Sequence, residues 1–262
     1  MTTILITTAI LGGLGLLLGL LLSLAGIKFK VYEAPELTAI KDLLPGANCG
    51  GCGQAGCAAF AEELYSGKGK GNFCPVGDDE MQRKLADMLG KENSGIVRKT
   101  AFVRCIGKSH QTKYIYTYQG IQNCQASLYL TGGSPKACVS GCTGGGNCAQ
   151  ACMFGAINII DGVAVINEKK CAGCTMCVEA CPRKLIVMVP FDKKIRVGCN
   201  SNDDGKSVRN NCAIGCIGCR LCLKNCPADA INMDGTLAVV DYEKCIKCKA
   251  CADACPRKCI LK

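Results

Sequence analysis

Trp is absent from this sequence of 262 residues, aromatic residues make up only 5%, and there is a single His. So few aromatic residues argue against one large enzyme domain with a deep apolar core. They also argue against a nucleic-acid-binding surface, which uses aromatic rings for base stacking, and no recognised nucleic-acid-binding fold is visible. Hydrophobic residues make up 49% and charged residues 20%, which is not the composition of a disordered chain. The length is sufficient for two domains of ordinary size.

Signals of enzymatic chemistry on the chain itself are also missing. No Gly-x-Gly-x-x-Gly pattern lies between a strand and a helix, so no dinucleotide site is predicted. No nucleophile stands in a pattern with a general base, and His110 is interpreted as a surface or structural residue. We therefore predict no catalytic residues and no substrate-converting site on this chain, so that any hydride chemistry takes place on another chain.

Charged residues are absent from one long segment, Ile4 to Ile27. A helix of this length spans about 36 Å, more than the hydrocarbon core of about 30 Å. No Lys or Arg precedes the segment, whereas Lys28, Lys30 and Lys41 follow it, which is unlike a cleaved signal peptide. The positive-inside rule then places the rest of the chain in the cytoplasm. We predict a single-pass anchor in the cell membrane at residues 1–27.

Cysteine is abundant, with 25 residues, close to one in ten. That density is typical of domains that cysteines, rather than a large apolar core, hold together. Disulfides are disfavoured by the odd number of cysteines and by the reducing cytoplasm. Zinc ions and iron–sulfur clusters remain as the alternatives.

The first cysteine group follows the predicted anchor. Cys49, Cys52 and Cys57 lie close together in the sequence, and Cys74 follows with Pro75 directly after it. Together the four cysteines are the number that one cluster needs.

Two short helices are predicted around this group, at 58–66 and at 78–89. The second has acidic residues in its first turn, as the helix dipole favours. The polar residues 91–95 are predicted to form a linker.

The remaining cysteines show an internal duplication, because eight of them recur 74 residues later. The first copy consists of Cys138, Cys142, Cys148, Cys152, Cys171, Cys174, Cys177 and Cys181. The second copy consists of Cys212, Cys216, Cys222, Cys226, Cys245, Cys248, Cys251 and Cys255. Each copy also has an Asp-Gly pair between β-forming residues, at 161–162 and at 234–235, which predicts a β-hairpin.

Three stretches match the C-x2-C-x2-C-x3-C-P run of bacterial ferredoxins. In that run three closely spaced thiolates hold one face of a cubane, and the fourth cysteine belongs to the neighbouring cluster. Zinc ligands usually come as two separated pairs, so we favour 4Fe-4S clusters over zinc. The three stretches are Cys171-Cys174-Cys177-Cys181, Cys216-Cys219-Cys222-Cys226 and Cys245-Cys248-Cys251-Cys255.

A fourth stretch departs from the pattern, because Gly145 stands where its repeat has Cys219. Cys138 is the simplest replacement, since the glycine-rich loop at 143–146 would let the chain reach the cluster. Otherwise this cluster has three ligands or is absent.

Crossed ligation then predicts two clusters in each module, and the first group provides a fifth. The predicted ligand sets are Cys49, Cys52, Cys57 and Cys74; Cys138, Cys142, Cys148 and Cys181; Cys152, Cys171, Cys174 and Cys177; Cys216, Cys219, Cys222 and Cys255; and Cys226, Cys245, Cys248 and Cys251. Two interpretations stay open for Cys105, Cys124, Cys199 and Cys212: they hold a sixth cluster, or they are buried structural thiols. Cys259 is interpreted as a packing residue.

These patterns predict an α+β protein with one N-terminal transmembrane helix, a small helical iron–sulfur domain and two ferredoxin-like two-cluster modules. The predicted domains are 1–27 for the anchor, 28–95 for the juxtamembrane 4Fe-4S domain, 96–199 for the first module with a leading β segment, and 200–262 for the second module.

The whole chain resembles the B subunit of the Rnf complex, a membrane-bound ferredoxin:NAD oxidoreductase. The resemblance rests on the membrane helix, on Asn48-Cys49-Gly-Gly-Cys52-Gly-Gln-Ala-Gly-Cys57 with Phe73-Cys74-Pro75, and on the ferredoxin modules. It implies a subunit that takes electrons from soluble reduced ferredoxin and passes them to other membrane and peripheral subunits, in a complex that pumps Na⁺ or H⁺. One alternative is a polyferredoxin subunit of another membrane enzyme, of the hydrogenase or formate dehydrogenase type. The other is a scaffold stapled by zinc.

Basic residues are concentrated toward the C-terminus. Residues 28–95 have a net charge of −2 and residues 96–262 of +12, within a formal total of +10. Because small ferredoxins are commonly acidic, we expect them to dock on the basic second module, although charge balance with the cluster explains the same residues. The expected docking residues are Lys244, Lys247, Lys249, Arg257 and Lys258. The first cysteine group would then be the exit, since a short tether keeps it near the membrane.

Overall fold

The computed structural model describes residues 1–29, 33–67, 74–90, 98–130 and 133–262. Lys30, Phe73, the predicted linker at 91–95 and the predicted domain boundary at 95/96 lie outside these residues.

The described residues form an α+β fold, with the longer helices first and short strands afterwards. The helices are α1 (Thr2–Lys28), α2 (Pro35–Leu43), α3 (Cys57–Tyr65), α4 (Asp79–Leu89), α5 (Cys124–Ser127), α6 (Asn147–Gln150), α7 (Met176–Glu179), α8 (Gly205–Asn211), α9 (Leu221–Lys224) and α10 (Ala250–Asp253). The strands are β1 (Lys99–Val103), β2 (Ile157–Ile160), β3 (Val163–Ile166), β4 (Ile186–Pro190), β5 (Arg196–Val197), β6 (Ile231–Asp234), β7 (Leu237–Val240) and β8 (Ile260–Leu261).

Helix α1 is apolar around its whole circumference, so it has no polar face to turn toward water. Its segment Ile4–Lys28 is long and apolar enough to cross a membrane, and no part of that segment is buried against the rest of the chain. The helix therefore agrees with the membrane span predicted from the sequence.

Helices α2, α3 and α4 form the juxtamembrane domain. Their buried apolar residues share one small core, made of Ile40, Leu44, Phe60, Ala61, Leu64, Met81 and Leu85. The Asp78 carboxylate accepts a hydrogen bond from the backbone N–H of Met81 at 2.8 Å and so caps α4, while Gly90 ends it in the left-handed conformation. The two helices predicted here are confirmed to within one residue at each end.

Both ferredoxin-like modules contain two antiparallel strand pairs. The predicted hairpins are confirmed as β2 with β3 and as β6 with β7. The outer pairs join strands that are far apart in the sequence, β1 with β4 and β5 with β8. Each module therefore has a leading strand that pairs with its last strand.

The leading strand of the second module corrects one predicted boundary. The sequence assigned residues up to 199 to the first module, but β5 pairs with β8, and Ile195 and Val197 are buried in the same core as Ile260. The physical reason is that β8 is too short to bury its apolar residues unless a neighbouring strand covers them.

The two leading strands are spaced differently from the rest of the repeat. Val103 lies opposite Ile186, and Val197 lies opposite Ile260. The two isoleucines are 74 residues apart, whereas the two valines are 94 residues apart. The first module thus has 20 additional residues between its leading strand and its cysteine motif, and α5 lies in this insertion.

Candidate metal centres

Cysteine sulfurs line three cavities in the modules. We number the candidate sites 1 to 6 in the order in which they neighbour one another, and these three are sites 3, 4 and 5. Site 3 is formed by Cys124, Cys142, Cys148 and Cys181; site 4 by Cys105, Cys138, Cys199 and Cys212; and site 5 by Cys216, Cys219, Cys222 and Cys255.

The other three groups are recognised by the mutual repulsion of their thiolates. Burial, followed by the charges of Cys171, Cys174 and Cys152, raises the pKa of Cys177 to about 12. The same two causes raise the pKa of Cys74 in the first group and of Cys251 in the last. Site 2 is Cys152, Cys171, Cys174 and Cys177, and site 6 is Cys226, Cys245, Cys248 and Cys251. Site 1 contains Cys49, Cys52 and Cys74, and the sequence pattern adds Cys57, which packs against the same small core as Cys52 and Cys74.

Sites 3 and 4 differ from the sequence prediction by an exchange of two cysteines. The sequence favoured Cys138 as the fourth ligand beside Cys142, Cys148 and Cys181, and it left Cys124 either in a sixth group or as a buried structural thiol. In the structure Cys124 occupies the space of the missing ligand, because a Cβ built on Gly145 would lie 3.0 Å from the sulfur of Cys124. Cys138 instead lies beside Cys105, Cys199 and Cys212, whose charges add to burial in raising its pKa to about 11.

Two asparagines position Cys124. The side chain of Asn147 accepts a hydrogen bond from the backbone N–H of Cys124 at 2.7 Å, and Asn123 caps α5 by accepting from Gln125 and Ala126. Neither asparagine belongs to a motif that is recognisable in the sequence. The 20-residue excess in the spacing of the leading segments is the signal that would have pointed to an insertion with its own cysteine.

Site 4 receives two cysteines from each module. Cys105 and Cys199 follow the two leading strands, and Cys138 and Cys212 precede the two motifs at the repeat distance of 74. The backbone N–H of Cys142 donates to the sulfur of Cys105 at 3.3 Å. Its repeat equivalent, the N–H of Cys216, hydrogen-bonds Cys199 in the same way. Site 4 is therefore shared equally between the two copies of the duplication.

The surroundings of site 4 suit a bound anionic group. Arg104 lines the cavity, and its Nε is buried without a hydrogen-bond partner in the described part of the chain. A Cβ on Gly107 would lie 3.2 Å from the sulfur of Cys212, so only a glycine leaves the backbone this close to the ligand. Four thiols, an unpaired N–H and a closely approaching backbone together fit a thiolate-bound cluster.

Cys259 is a further thiol beside site 5. It is 2% exposed, and its sulfur lies 3.6 Å from that of Cys255. Hydrogen bonds from Cys259 lower the pKa of Cys216 to about 6 and of Cys255 to about 5. In the first module the equivalent position is Leu185. Cys259 is therefore buried, as the sequence predicted, and its single S–H is shared between two predicted ligands of site 5.

The spacing of the sulfurs matters for the choice between zinc and clusters. A zinc ion binds each thiolate at about 2.3 Å, which holds four sulfurs within about 4 Å of one another. Among the described residues, no group of three or more His, Cys, Asp or Glu side chains is close enough to hold a single ion. The cysteine runs in the sequence, with three ligands close together and a fourth followed by Pro, are the pattern of 4Fe-4S clusters.

The six sites form a continuous row. Cys49 of site 1 and Cys174 of site 2 repel each other electrostatically, as do Cys177 of site 2 and Cys148 of site 3. The hydrogen bonds of Cys105 and Cys199 described above connect site 4 to sites 3 and 5. Sites 5 and 6 draw their ligands crosswise from the same two cysteine stretches.

The juxtamembrane domain packs on the site 2 loop. A Cβ on Gly51 would lie 2.9 Å from the carbonyl oxygen of Cys174, and one on Gly173 would lie 2.9 Å from that of Lys99 and 3.6 Å from that of Pro75. Glycine is required where two backbones approach this closely. Sites 1 and 2 are thus held against each other.

The basic residues expected at a docking surface do not all face solvent. Lys244, Lys247, Lys249 and Lys258 are exposed. The prediction that Arg257 belongs to the docking surface is wrong, because its guanidinium points inward and donates to the carbonyl oxygen of Cys212 at 2.6 Å. This hydrogen bond connects the chain segment next to site 5 with Cys212 of site 4. His110 is exposed, in agreement with its interpretation as a surface residue.

Comparisons with known proteins show which protein family this chain resembles. A model of an Fe-S cluster domain matches residues 44–76, and two models described as 4Fe-4S dicluster domain match residues 170–231 and 215–260. The B subunit of the Na(+)-translocating ferredoxin:NAD(+) oxidoreductase complex of Acetobacterium woodii is 41% identical over 99% of this chain and 78% of its own length. The B subunit of the ion-translocating oxidoreductase complex of Methanosarcina acetivorans is 42% identical over 99% of both chains.

The chain belongs to the Rnf B-subunit family. The B subunit of the proton-translocating ferredoxin:NAD(+) oxidoreductase complex of Clostridium ljungdahlii is also 38% identical over 98% of this chain and 91% of its own. The resemblance stated from the sequence is confirmed, and neither the polyferredoxin alternative nor the zinc scaffold is favoured.

Proposed function

We propose that this chain is the electron-transfer subunit of an ion-translocating ferredoxin:NAD⁺ oxidoreductase complex and that it holds six 4Fe-4S clusters. The observation that carries the proposal is the continuous row of six four-cysteine sites, which runs from the juxtamembrane domain to the second module. Bound clusters would supply reversible one-electron oxidation and reduction at each site. The names of the relatives support the assignment to this complex.

The protein buries or half-buries the cysteines of the six sites, except Cys219 and Cys248, and its backbone donates hydrogen bonds to their sulfurs. Backbone N–H groups donate to ligand sulfurs at matching positions, from Ala156 to Cys152 and from Ala230 to Cys226, both at 3.3 Å. Hydrogen bonds to ligand sulfurs and burial are two of the properties that set a cluster's reduction potential. The chain's own contribution is therefore to position the sites and to tune their potentials.

The membrane arrangement follows from α1 and the charges beside it. α1 crosses the membrane once, and the basic residues that follow it keep the remainder on the cytoplasmic side. Site 1 lies in the domain next to the membrane and is the place from which electrons leave toward the membrane subunits. NAD⁺ is reduced on another subunit, since this chain has no dinucleotide-binding pattern.

A comparison of the two modules supports ferredoxin docking at site 6. Cys174 and Cys248 are equivalent in the repeat, but Cys174 is 8% exposed under the juxtamembrane domain and Cys248 is exposed. The loop that the first module uses for protein contact is thus open in the second. Ile246, in that open loop, is 63% exposed and supplies an apolar contact.

Charge distinguishes the two loops as well. Lys247 and Lys249 stand where the first module has Gly173 and Thr175. Lys247 pairs with Asp192 at 2.6 Å, and no ion pair of Lys249 is found in the described part of the chain. The open loop is therefore basic, as an acidic partner requires.

The test is to give the second module the loop residues of the first, with Lys247→Gly and Lys249→Thr. We expect slower electron uptake from reduced ferredoxin at low salt, a smaller difference at high salt, and unchanged iron content. The double charge reversal to Glu should slow uptake further. Lys184→Glu is the control. Lys184 is an exposed lysine of the first module, at the position equivalent to Lys258 in the second. A normal low-salt rate in the charge-reversed protein would refute docking at this loop.

A further inference from the structure

Lys136 is a fully buried lysine in the first module, with 1% of its surface exposed. Its ammonium donates hydrogen bonds to the carbonyl oxygens of Gly107 at 3.1 Å and of Gly162 at 2.8 Å. None of the ion pairs found among the described residues includes it. Buried lysines are rare unless an anion compensates them, so this one calls for an anionic partner.

The position of Lys136 identifies that partner. The residue lines the site 4 cavity, two residues before the site 4 ligand Cys138, and its acceptor Gly107 follows Cys105 by two residues. Its other acceptor, the carbonyl of Gly162, lies 2.9 Å from a Cβ built on Gly144, in the loop between the site 3 ligands Cys142 and Cys148. The ammonium therefore lies between the loops of sites 3 and 4.

The electrostatic environment agrees with this placement. Burial raises the pKa of the Cys105 and Cys142 thiols, and the charge of Lys136 opposes that rise at both. One cation thus stabilises negative charge at a ligand of each site.

We propose that Lys136 is the buried counter-charge that raises the reduction potentials of the clusters at sites 3 and 4. The inference rests on the proposed function, because it requires clusters at both sites. Reduction adds one negative charge to a cluster, and a cation that water cannot screen stabilises the reduced form. Since site 4 joins the two modules, a low potential there would hinder passage between them.

A purely structural role is the competing explanation. Lys136 also connects the chain at Gly107 to the hairpin turn at Gly162, so its removal could loosen the loops without any effect of charge. The two roles differ in what the conservative variants do. Lys136→Gln keeps a hydrogen-bond donor and removes the charge, whereas Lys136→Arg keeps the charge.

The experiment is an EPR-monitored redox titration of the full-length protein in detergent, with iron and sulfide analysis of each variant. Cys124→Ala and Cys138→Ala, each lacking one site, assign the signals of sites 3 and 4. In Lys136→Met and Lys136→Gln we expect the reduction equilibrium at these sites to shift about tenfold toward the oxidised form, which is about 59 mV for one electron. Lys136→Arg should stay close to the wild type, with iron content unchanged throughout.

Lys113→Met is the matched control. Lys113 lies on the neighbouring chain segment, where its carbonyl accepts from the N–H of Ala137, but its side chain is exposed. Removal of its charge should shift the potentials much less, because water screens it. Potentials that move no further in the Met and Gln variants of Lys136 than in Lys113→Met would overturn the proposal. So would a loss of about four iron atoms in both variants, which would indicate a structural role. A wild-type content of about 20 iron atoms would instead refute the six-cluster assignment itself.

Discussion

The backbone N–H of Cys142 donates a hydrogen bond to the sulfur of Cys105, 3.3 Å away. Cys142 belongs to site 3 and Cys105 to site 4, so this one contact joins two neighbouring sites. The second module repeats it between Cys216 and Cys199. Site 4 is thereby tied to both modules by the same contact, and it is the link between them.

The grouping of cysteines at sites 3 and 4 predicts which double substitutions are redundant. Cys138→Ala with Cys199→Ala should lose about four iron atoms from a total of about 24, because both residues serve one site. Cys124→Ala with Cys199→Ala should lose about eight, because they serve two sites. The grouping expected from the sequence predicts the opposite pattern. Iron and sulfide analysis of the two double variants, beside the single ones, decides between them.

Gly51 contacts the backbone of Cys174, so we predict that adding a methyl group at Gly51 pushes sites 1 and 2 apart. In Gly51→Ala the new Cβ would lie 2.9 Å from a backbone carbonyl oxygen, which cannot move aside as a side chain would. We expect several-fold slower reduction of site 1, measured by rapid-freeze EPR after mixing with reduced ferredoxin, with the other sites unaffected. Gly53→Ala is the control, since nothing lies within 4 Å of its Cβ, although its positive φ costs about 1–2 kcal/mol. Equal rates in both variants would contradict the prediction.

An ion pair between Glu168 of the first module and Arg196 of the second connects the two modules. We predict that the stability it provides depends on pH. Arg196 is on β5 with a side chain only 4% exposed, and it pairs with Glu168 and lies over the ring of Phe102. Burial raises the pKa of Glu168, but its hydrogen bonds with Lys194 and Arg196 outweigh burial and lower it overall. Glu168→Gln should therefore reduce the free energy of unfolding by about 1–2 kcal/mol at neutral pH.

The sign of the effect determines its pH range. Because the pKa of Glu168 is lower in the folded chain, its stabilisation is present above the ordinary value of 4.5 and disappears as the pH falls through the lowered pKa. Thermal unfolding followed by circular dichroism should show a difference of about 2–4 °C per kcal/mol that narrows only in acid. Lys194→Met is the comparison: Lys194 also lowers the pKa of Glu168, but it is more exposed than Arg196, so its removal should cost less than Glu168→Gln. A difference that stays constant into acid would show that charge is not its cause.

Cys259 is predicted to be dispensable for cluster binding. The substitution Cys259→Leu introduces the residue that the first module has at this position, Leu185. We expect the iron content to stay unchanged and the reduction potential of site 5 to fall, because its ligand sulfurs lose the one hydrogen-bond donor that the Cys259 thiol supplies. The converse variant, Leu185→Cys, should raise the potential of site 3. A loss of about four iron atoms from Cys259→Leu would show that this thiol is a ligand.

Much of the architecture follows from the sequence alone. The uncharged run from Ile4 to Ile27 predicts α1, because only a helix can satisfy its backbone in a membrane. The Asp-Gly pairs predict both hairpins, because the turn chemistry is local. The regular cysteine runs indicate the cluster type for the same reason, since ligands three or four residues apart must lie on one loop.

Only the tertiary structure decided the ligand partners of Cys124 and Cys138. Spacing rules reach no further than one loop, and these two cysteines meet partners that strand pairing and an insertion bring from elsewhere in the chain. The inward orientation of Arg257 and the burial of Lys136 could not be predicted either. A sequence shows that a residue is basic but not which way its side chain points. Ligands and turns that lie within one loop can be predicted from the residue order. A site shared between two modules forms only after both modules have folded and packed together.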